Sequence, residues 1–274
     1  MRKNFMAIDI KEFELYLWEK ELSENTIKSY HTQLSDYNSK YDDITKTNLI
    51  EWKKGLADRL CPKSINHYIT AMNEYLKFIG RSDLALRKIK IQQRTTVENV
   101  ISLAEFNRLL DGLKKDGNMR WYYICLFLGK TGARVSELIK LRYGDLKRGY
   151  AEMPTKGKIR RIYFCDSLRT DEIMQYYLDR KDGDYLIQNR FGEQITERGV
   201  AQQLLNFSEK YGINKKVMHP HSFRHFFAIE FLKRDKDITL LADLMGHSSI
   251  NTTQIYLRLS QDEQQKRLNK AMNF

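Results

Sequence analysis

Helical apolar patterns run through the first eighty residues almost without a break, and they constrain the fold more than any other feature of the chain. One pattern lies between Ile8 and Trp18, one follows Ser23, which can cap a helix, and one lies between Leu49 and Leu60. Pro62 then stands where the first turn of a helix tolerates proline, and the last pattern ends at Gly80. The spacing predicts a compact four-helix unit. The apolar side chains of its first helix are expected to be Ile8, Phe13, Leu15, Leu17 and Trp18.

A basic segment follows this unit. Residues 87–94, RKIKIQQR, hold four basic side chains and no acidic one. Ser102 and Glu105 then have the spacing of a capping box, which opens a new helix. The change in composition, followed by a helix start, indicates a boundary between two domains.

We therefore expect a helical domain over residues 1–86, a linker over residues 87–98 and a second domain over residues 99–274. An extended basic linker can follow a DNA groove, although a flexible solvated tether has the same composition. The linker side chains that could contact DNA are those of Lys88, Lys90 and Arg94.

The second domain is predicted to be mostly helical with a small antiparallel sheet, so the fold class is mainly α: an all-α bundle followed by an α+β domain. Short strands are expected at YAEMP (150–154), IRRIYF (159–164) and DYLIQN (184–189). Helices are expected over residues 103–114, 119–130, 134–141, 167–181, 196–211, 221–234, 238–245, 249–258 and 260–272.

The balance of charge favours a polyanionic partner. The chain has a formal net charge of +12, and basic side chains displace condensed counterions from nucleic acid. Residues 1–50 carry 7 basic and 9 acidic groups, whereas residues 51–150 carry 20 basic and 10 acidic groups. A positive face is therefore expected around the middle of the chain.

The three cysteines fit neither a disulfide framework nor a zinc site. Cys61, Cys125 and Cys165 are an odd number and form no CxxC pair. The N-terminus lacks an apolar stretch of signal length, and no segment approaches the apolar run that a membrane span needs. We therefore expect a cytoplasmic protein with no membrane partner.

Four of the six histidines lie between His219 and His247. Residues three apart share a helix face, so His221 and Arg224 would converge on one ligand, with His225 beside them. An imidazole titrates near neutral pH and a guanidinium does not, so the set offers fixed positive charge and a proton carrier. This combination suits an anion whose bonds are exchanged. A metal site built on these histidines is the weaker alternative, because the sequence places no acidic or thiol ligand nearby.

Three further segments carry candidate site residues, each with an ordinary structural alternative. Arg134 stands at an expected helix start and can direct its planar fork at a phosphate, or it can form a surface ion pair with Glu137. The hairpin tip TKGK presents Lys156 and Lys158, which are ordinary surface lysines unless other motifs support them. The segment LMGHSSINTTQIY supplies His247 and Tyr256, although a tyrosine at such a position usually packs.

Taken in order, these residues resemble the tyrosine recombinase (phage integrase) family. The resemblance rests on Arg134, Lys156, His221, Arg224, His247 and Tyr256, in TGARVSEL, TKGK, HSFRH and LMGHSSINTTQIY. It covers residues 99–274 as the catalytic domain of that family. Residues 1–86 are similar, less distinctively, to its SAM-like core-binding domain, which binds DNA.

The resemblance implies a site-specific recombinase that cleaves and rejoins DNA through a 3′-phosphotyrosyl intermediate, in integration, excision or inversion. Tyr256 would be the nucleophile. Arg134 and Arg224 would hold the non-bridging phosphate oxygens, and no metal or other cofactor would be required. Lys156 would protonate the departing 5′-oxygen.

The resemblance also assigns roles to the histidines. His221 would exchange a proton with the tyrosine, and His247 would donate to the phosphate. Glu137 and His225 are expected to support these groups. The turn KGKIRR is one residue tighter than the usual arrangement in the family, so Lys158 is a rival for the acid role of Lys156.

The expected partner is double-stranded DNA. In related recombinases a C-terminal tail docks on the neighbouring protomer, so we expect a homotetramer on DNA through exchange of the last helix, and an accessory directionality factor is a further possible partner. The sequence begins almost at the first helices, so we expect either a simple recombinase without an arm-binding domain or a truncated piece of a longer protein. Three alternatives stay open: a type IB topoisomerase, a DNA-binding regulator on the same fold and a metal-dependent nuclease.

Overall fold

Two compact units make up the protein. The computed structural model describes residues 8–91, 97–155, 158–247, 249–257 and 268–272. The chain divides into the units Met1–Gln93 and Arg94–Phe274. Each unit has a hydrophobic core of its own. Each can therefore bury its apolar surface without the other.

Four α-helices form the described part of the N-terminal unit, as the sequence predicts. They are α1 (Ile10–Glu19), α2 (Glu24–Asn38), α3 (Lys46–Ala57) and α4 (Pro62–Phe78). The side chains of Asp9, Ser23 and Thr45 each accept a hydrogen bond from a backbone N–H in the first turn of the helix that follows. Pro62 occupies the first turn of α4, where its missing N–H leaves no helical hydrogen bond unmade.

The core of this unit selects one face of each helix. Phe13 and Leu17 lie one turn apart on α1, and both are buried. Leu15 and Trp18 were expected in the same apolar set, and this prediction is wrong: their side chains are 65% and 52% exposed. Leu15 lies two residues from both Phe13 and Leu17, which places it on the opposite side of a helix.

Part of the predicted linker packs against the N-terminal unit. The side chain of Asn73 bonds to the backbone N–H and carbonyl of Leu86, and that of Asn66 bonds to the same two groups of Ile89. Lys88 and Lys90 are exposed and lie in a segment without helix or strand, whereas Arg94 is outside the described residues. Paired amide contacts thus fix the chain as far as Ile89.

The C-terminal unit is mostly helical with one two-stranded sheet. Its longer helices are α5 (Leu103–Lys115), α6 (Met119–Thr131), α10 (Glu197–Lys210), α11 (Pro220–Arg234) and α12 (Ile238–Met245). Its short helices are α7 (Val135–Leu138), α8 (Tyr143–Arg148), α9 (Asp171–Tyr176) and α13 (Asn251–Gln254). The strands are β1 (Tyr150–Thr155) and β2 (Lys158–Tyr163).

The sheet is the predicted antiparallel hairpin. Met153 pairs with Arg160, and Ala151 pairs with Ile162. All four side chains are buried, so one face of the hairpin is directed into the protein. The turn residues Lys156 and Gly157 lie outside the described residues.

Several predicted boundaries are wrong. The expected helix 167–181 is reduced to α9, because Asp and Gly residues place turns between Tyr177 and Asp184. The expected strand 184–189 makes only isolated bridges, at Tyr185 and Gln188. Helices 134–141 and 249–258 shorten to α7 and α13, and most of helix 260–272 lies outside the described residues.

Helix α6 is the centre of the C-terminal unit, and it ends in the segment TGARVSEL, which carries Arg134. Every residue from Tyr123 to Gly129 is buried. The helix packs against α5 and α11. It ends at Gly132, which has a left-handed φ of 61°, and a Cβ there would lie 2.5 Å from the Phe227 ring. A glycine at this position lets α6 terminate tightly against α11.

Cys61 and Cys165 are exposed, Cys125 is buried, and all three are free thiols. Within the described ranges, no helix combines the length and the apolar character needed to cross a membrane.

The two leucines of α1 provide a test of this packing. We expect Leu17→Ala to lower the free energy of unfolding of the N-terminal unit by about 3 kcal/mol, because it opens a cavity in the core. The matched change Leu15→Ala, on the exposed face of the same helix, should change it by less than about 0.5 kcal/mol. Urea denaturation followed by tryptophan fluorescence measures both. Equal losses would contradict the assignment of the buried face.

Candidate active site

The first two turns of α11 carry the HxxR motif. Pro220 begins the helix, and the His219 Nδ1 accepts a hydrogen bond from the backbone N–H of Ser222. His219 is therefore a helix cap. The cap and the proline fix where α11 starts, and so place His221, Arg224 and His225 on successive turns of one side of the helix.

Three guanidinium groups meet at the end of α12, and we call them the arginine cluster: Arg134, Arg160 and Arg224. Each donates to a different one of three consecutive backbone carbonyls. Arg160 Nη2 donates to Leu244 (2.6 Å), Arg224 Nη2 to Met245 (2.6 Å) and Arg134 Nη2 to Gly246 (3.4 Å). The last carbonyls of a helix have no partner within it and carry partial negative charge, which stabilises cations placed there.

One carboxylate links two members of the arginine cluster. Glu137 Oε1 accepts from Arg134 Nη1 at 2.9 Å, and Glu137 Oε2 accepts from the Arg134 backbone N–H at 2.8 Å and from Arg160 Nη1. Burial favours the protonated acid, but the hydrogen bonds from Arg134 and Arg160 prevail and hold the pKa of Glu137 below its ordinary value. In the described part of the chain, Glu137 is the single carboxylate paired with the arginine cluster. Three positive charges against one negative leave an excess of two.

Arg224 is the most buried member of the arginine cluster, and its guanidinium contacts the ends of both α6 and α12. Its side chain is buried, with 2% of the residue exposed, and its Nη1 donates to the carbonyl of Gly132 at the end of α6. Burial, and then the neighbouring charges of Arg134 and Arg160, lower its pKa to about 10. A bound anion would offset both effects, because it supplies the negative charge that the arginine cluster lacks.

His247 follows the arginine cluster in the chain and lies beside it. Gly246 has a left-handed φ of 61°, and this conformation turns the chain sharply at the end of α12. The His247 Nδ1 lies 2.7 Å from the Thr253 hydroxyl, which orients the ring. Burial, and then the positive charges of Arg224 and Arg134, lower the pKa of His247 to about 4. The imidazole is therefore neutral near pH 7.

Tyr256 contacts a histidine of α11. Its hydroxyl lies 2.6 Å from the Nδ1 of His225, and the His225 ring lies 4.2 Å from that of His221. Burial raises the pKa of Tyr256 to about 12, although Arg224 acts in the opposite direction. Burial, and then the charge of His221, lower the pKa of His225 to about 4. A protonated phenol thus lies beside a neutral imidazole that can accept its proton.

The structure brings seven of the predicted site residues into one region of the C-terminal unit. They are Arg134, Glu137, His221, Arg224, His225, His247 and Tyr256. Lys158 is the first residue of β2, whereas Lys156 and Arg94 lie outside the described residues. Lys88 and Lys90 belong to the N-terminal unit. In the part of the chain that the structure describes, no group of three or more His, Cys, Asp or Glu side chains could hold a metal ion.

Arg160 and Thr253 are the two side chains of this region that the sequence analysis missed. Arg160 could have been found from strand alternation: in IRRIYF it shares a face with Ile162, and that face is apolar. An arginine at an inward position indicates a buried ionic contact. Thr253 offered no signal, because a threonine in a short helix is ordinary and only the fold places it behind His247.

Comparison with known proteins identifies the family of this chain. The model of the phage integrase family matches residues 99–263, and that of the phage integrase N-terminal SAM-like domain matches residues 10–83. The chain belongs to the phage integrase family. It is a tyrosine-type site-specific recombinase. The family resemblance inferred from the motifs is thereby confirmed.

Relatives of this recombinase match over nearly its full length. Tyrosine recombinase XerA of Pyrococcus furiosus is 32% identical over 273 residues, which cover 95% of this chain and 93% of that protein. The TnP I resolvase of Bacillus thuringiensis is 26% identical and covers 92% of this chain and 95% of the relative. Tyrosine recombinase XerD of Oceanobacillus iheyensis is 26% identical, with coverages of 88% and 90%.

Solved structures confirm the mainly helical fold of this recombinase. A crystal structure of XerA recombinase is 27% identical with a TM-score of 0.54, and covers 96% of this chain and 97% of that one. A structure of the Tn1549 transposon integrase in complex with transposon right end DNA has a TM-score of 0.73 at 16% identity, with coverages of 96% and 99%. At that identity the second likeness concerns the fold alone.

The two neutral histidines predict a pH dependence of stability. Their folded pKa of about 4 lies below the ordinary value of 6.5. The unfolded chain therefore binds protons first as the pH falls, and the stability that is fully present above pH 6.5 declines between the two values. We expect the melting temperature of the double variant His225→Gln/His247→Gln to fall less than that of the wild type when the pH is lowered from about 7.5 to about 5.

Proposed function

We propose that this recombinase cleaves and rejoins double-stranded DNA through a 3′-phosphotyrosyl intermediate, in DNA integration, excision or inversion. The observation that carries the proposal is the Tyr256 hydroxyl, hydrogen-bonded to a neutral imidazole next to a pocket with an excess of two positive charges. A phosphodiester supplies one negative charge in the ground state and more in the transition state. The pocket therefore favours the transition state over the substrate.

Arg134 and Arg224 would hold the two non-bridging oxygens of the scissile phosphate. Both guanidiniums already have carbonyl partners, so their orientation is set before DNA binds. Attack by the Tyr256 oxygen forms the phosphotyrosyl bond and breaks the bond to the 5′-oxygen. The bond energy is retained in the intermediate, so the released 5′-hydroxyl can reverse the step, and the 5′-hydroxyl of another cleaved strand can displace Tyr256 to form the exchanged strand.

The proton of Tyr256 would leave through the histidines of α11. The expectation from the family assigns this exchange to His221, and the 2.6 Å contact supports His225 as the group that receives the proton first. The adjoining ring of His221 can share the charge. His247 would donate to a phosphate oxygen, since a nearby anion raises the pKa of an imidazole and favours its protonated form.

Protonation of the leaving 5′-oxygen is the remaining step, and we assign it to Lys156, with Lys158 as the rival. We expect Lys156→Ala to lower the cleavage rate by about 100-fold and Lys158→Ala by less than about threefold, because general-acid catalysis contributes on the order of 10²-fold or more. Single-turnover cleavage measures both. A substrate with a 5′-bridging sulfur leaves without protonation, so it should restore the Lys156→Ala rate. The reverse ranking would transfer the role to Lys158.

The wider arrangement follows from the same proposal. Residues 1–86 would form the core-binding DNA domain, residues 87–98 the linker and residues 99–274 the catalytic domain. Lys88, Lys90 and Arg94 would neutralise phosphates of the DNA backbone. We further propose a homotetramer on DNA through exchange of the C-terminal helix, a directionality factor as an accessory partner and a cytoplasmic location. A DNA-free tetramer in sedimentation experiments would count against this assembly.

The test of the chemistry is a covalent adduct that survives denaturant. We expect the wild-type protein to form such an adduct with a nicked random-sequence DNA library in chelator, and Tyr256→Phe to form none, because only the phenol oxygen can make the bond. Tyr163→Phe, at the exposed end of β2, is the matched control and should react like the wild type. Sequencing the captured DNA gives the recognition site.

Other outcomes identify the alternatives. Loss of cleavage in chelator would indicate a metal-dependent nuclease. Relaxation of supercoiled DNA without exchange of strands would indicate a topoisomerase. Tight DNA binding with no adduct in either protein would contradict the proposal and favour a regulator.

A further inference from the structure

Arg160 is a buried cation that the proposed chemistry does not use. It lies on β2 with 5% of the residue exposed, between the apolar side chains of the inward face of the hairpin. Its Nη1 pairs with Glu137, and its Nη2 donates to the carbonyl of Leu244. A Cβ at position 246 would lie 2.2 Å from the Arg160 Cδ, so Gly246 leaves the room that this side chain occupies.

Packing alone does not explain an arginine at this position. A buried ion pair contributes little net stability, and an apolar side chain of similar volume usually serves at least as well. The hairpin already has apolar neighbours for such a side chain in Met153 and Ile162. The guanidinium also leaves its own Nε buried without a hydrogen-bond partner in the described structure. These costs imply a role in the electrostatics of the pocket.

Glu137 connects Arg160 to the phosphate site. The carboxylate has two oxygens and receives two guanidiniums, one nitrogen from each. Without Arg160, Glu137 Oε2 would keep the backbone N–H of Arg134 and could also accept from the Arg134 guanidinium, since a guanidinium with a carboxylate prefers the bidentate pair with two parallel hydrogen bonds. Such a pair would turn the Arg134 fork toward Glu137 and away from the pocket.

We propose that Arg160 is a positioning residue that occupies one oxygen of Glu137, and thereby keeps the Arg134 guanidinium oriented toward the phosphate. The inference rests on the proposed function only in taking a phosphate as the ligand. It leads to a specific consequence for charge. Loss of Arg160 lowers the net charge of the arginine cluster together with Glu137 from +2 to +1. Loss of the charges of both Arg160 and Glu137 restores the net charge to +2.

The consequence can be tested by rescue at a second site. We compare wild type, Arg160→Met, Glu137→Gln and the double variant for binding of inorganic phosphate by calorimetry and for the single-turnover rate of adduct formation. Arg160→Met should bind phosphate about tenfold more weakly than the wild type, and its rate of adduct formation should fall by about tenfold or more. The reason is that substitutions within one ionic network have coupled energetic effects. The double variant should regain most of the phosphate affinity, because no carboxylate remains to capture Arg134.

A purely structural role predicts a different pattern. If Arg160 only packs, the double variant binds phosphate as weakly as Arg160→Met or more weakly, and the proposal is overturned. Arg160→Lys keeps a charge for Glu137 and should stay within about threefold of wild-type phosphate affinity. Thermal unfolding shows whether each variant folds. If Arg160→Met does not fold, the phosphate affinities of the double variant and of Arg160→Lys, each compared with the wild type, still decide whether Arg160 positions Arg134.

The two readouts separate this inference from the proposed function. Phosphate binding with the rescue pattern, but no adduct from the wild type, would support the role of Arg160 and contradict the cleavage chemistry. An adduct from the wild type, without rescue of phosphate binding in the double variant, would support the cleavage chemistry and contradict the role of Arg160.

Discussion

Three guanidinium groups that would repel each other in isolation share one pocket, and the ends of two helices hold them there. Each of three consecutive carbonyls at the end of α12 accepts a hydrogen bond from one guanidinium. The carbonyl of Gly132 at the end of α6 accepts a second hydrogen bond from Arg224. These dipoles stabilise positive charge without neutralising it. An acidic residue at each contact would hold the arginines equally well and would cancel the charge that a phosphate needs. Much of the C-terminal unit can be understood as the framework that brings two helix ends and a hairpin to one point.

The same field sets the protonation states around it. Burial and positive charge keep His225 and His247 neutral, while burial keeps Tyr256 protonated. In the proposed reaction, a phosphate would reverse the balance at the imidazoles, because it adds negative charge where positive charge is in excess. The histidines would then be better proton carriers when substrate is present. In the same proposal, this coupling would restrain Tyr256 until a phosphate arrives, with no movement of the backbone required.

How far the sequence could predict this arrangement depends on the range of each interaction. HxxR was readable because residues three apart share a helix face whatever the rest of the fold does, and the long helices were readable from their apolar periodicity. Leu15 was misplaced because an apolar residue between two buried positions shows its face only when the neighbouring helices are known. The strand expected at residues 184–189 failed for a related reason: Leu186 and Ile187 are both buried, so β-like composition there reflects burial and not alternation.

Arg160 marks the limit of local reasoning. Its strand was predicted correctly, and its inward position follows from that strand by alternation, yet its partners Glu137 and Leu244 lie 23 and 84 residues away in the chain. No spacing rule connects such residues. A cation on an apolar strand face nevertheless needs a buried partner, and the acidic residues in apolar surroundings are few. Glu137, between Val135 and Leu138 on a short helix, was therefore the natural candidate. An ionic pairing between distant elements can be inferred in this way from two local anomalies, each of which is costly without the other.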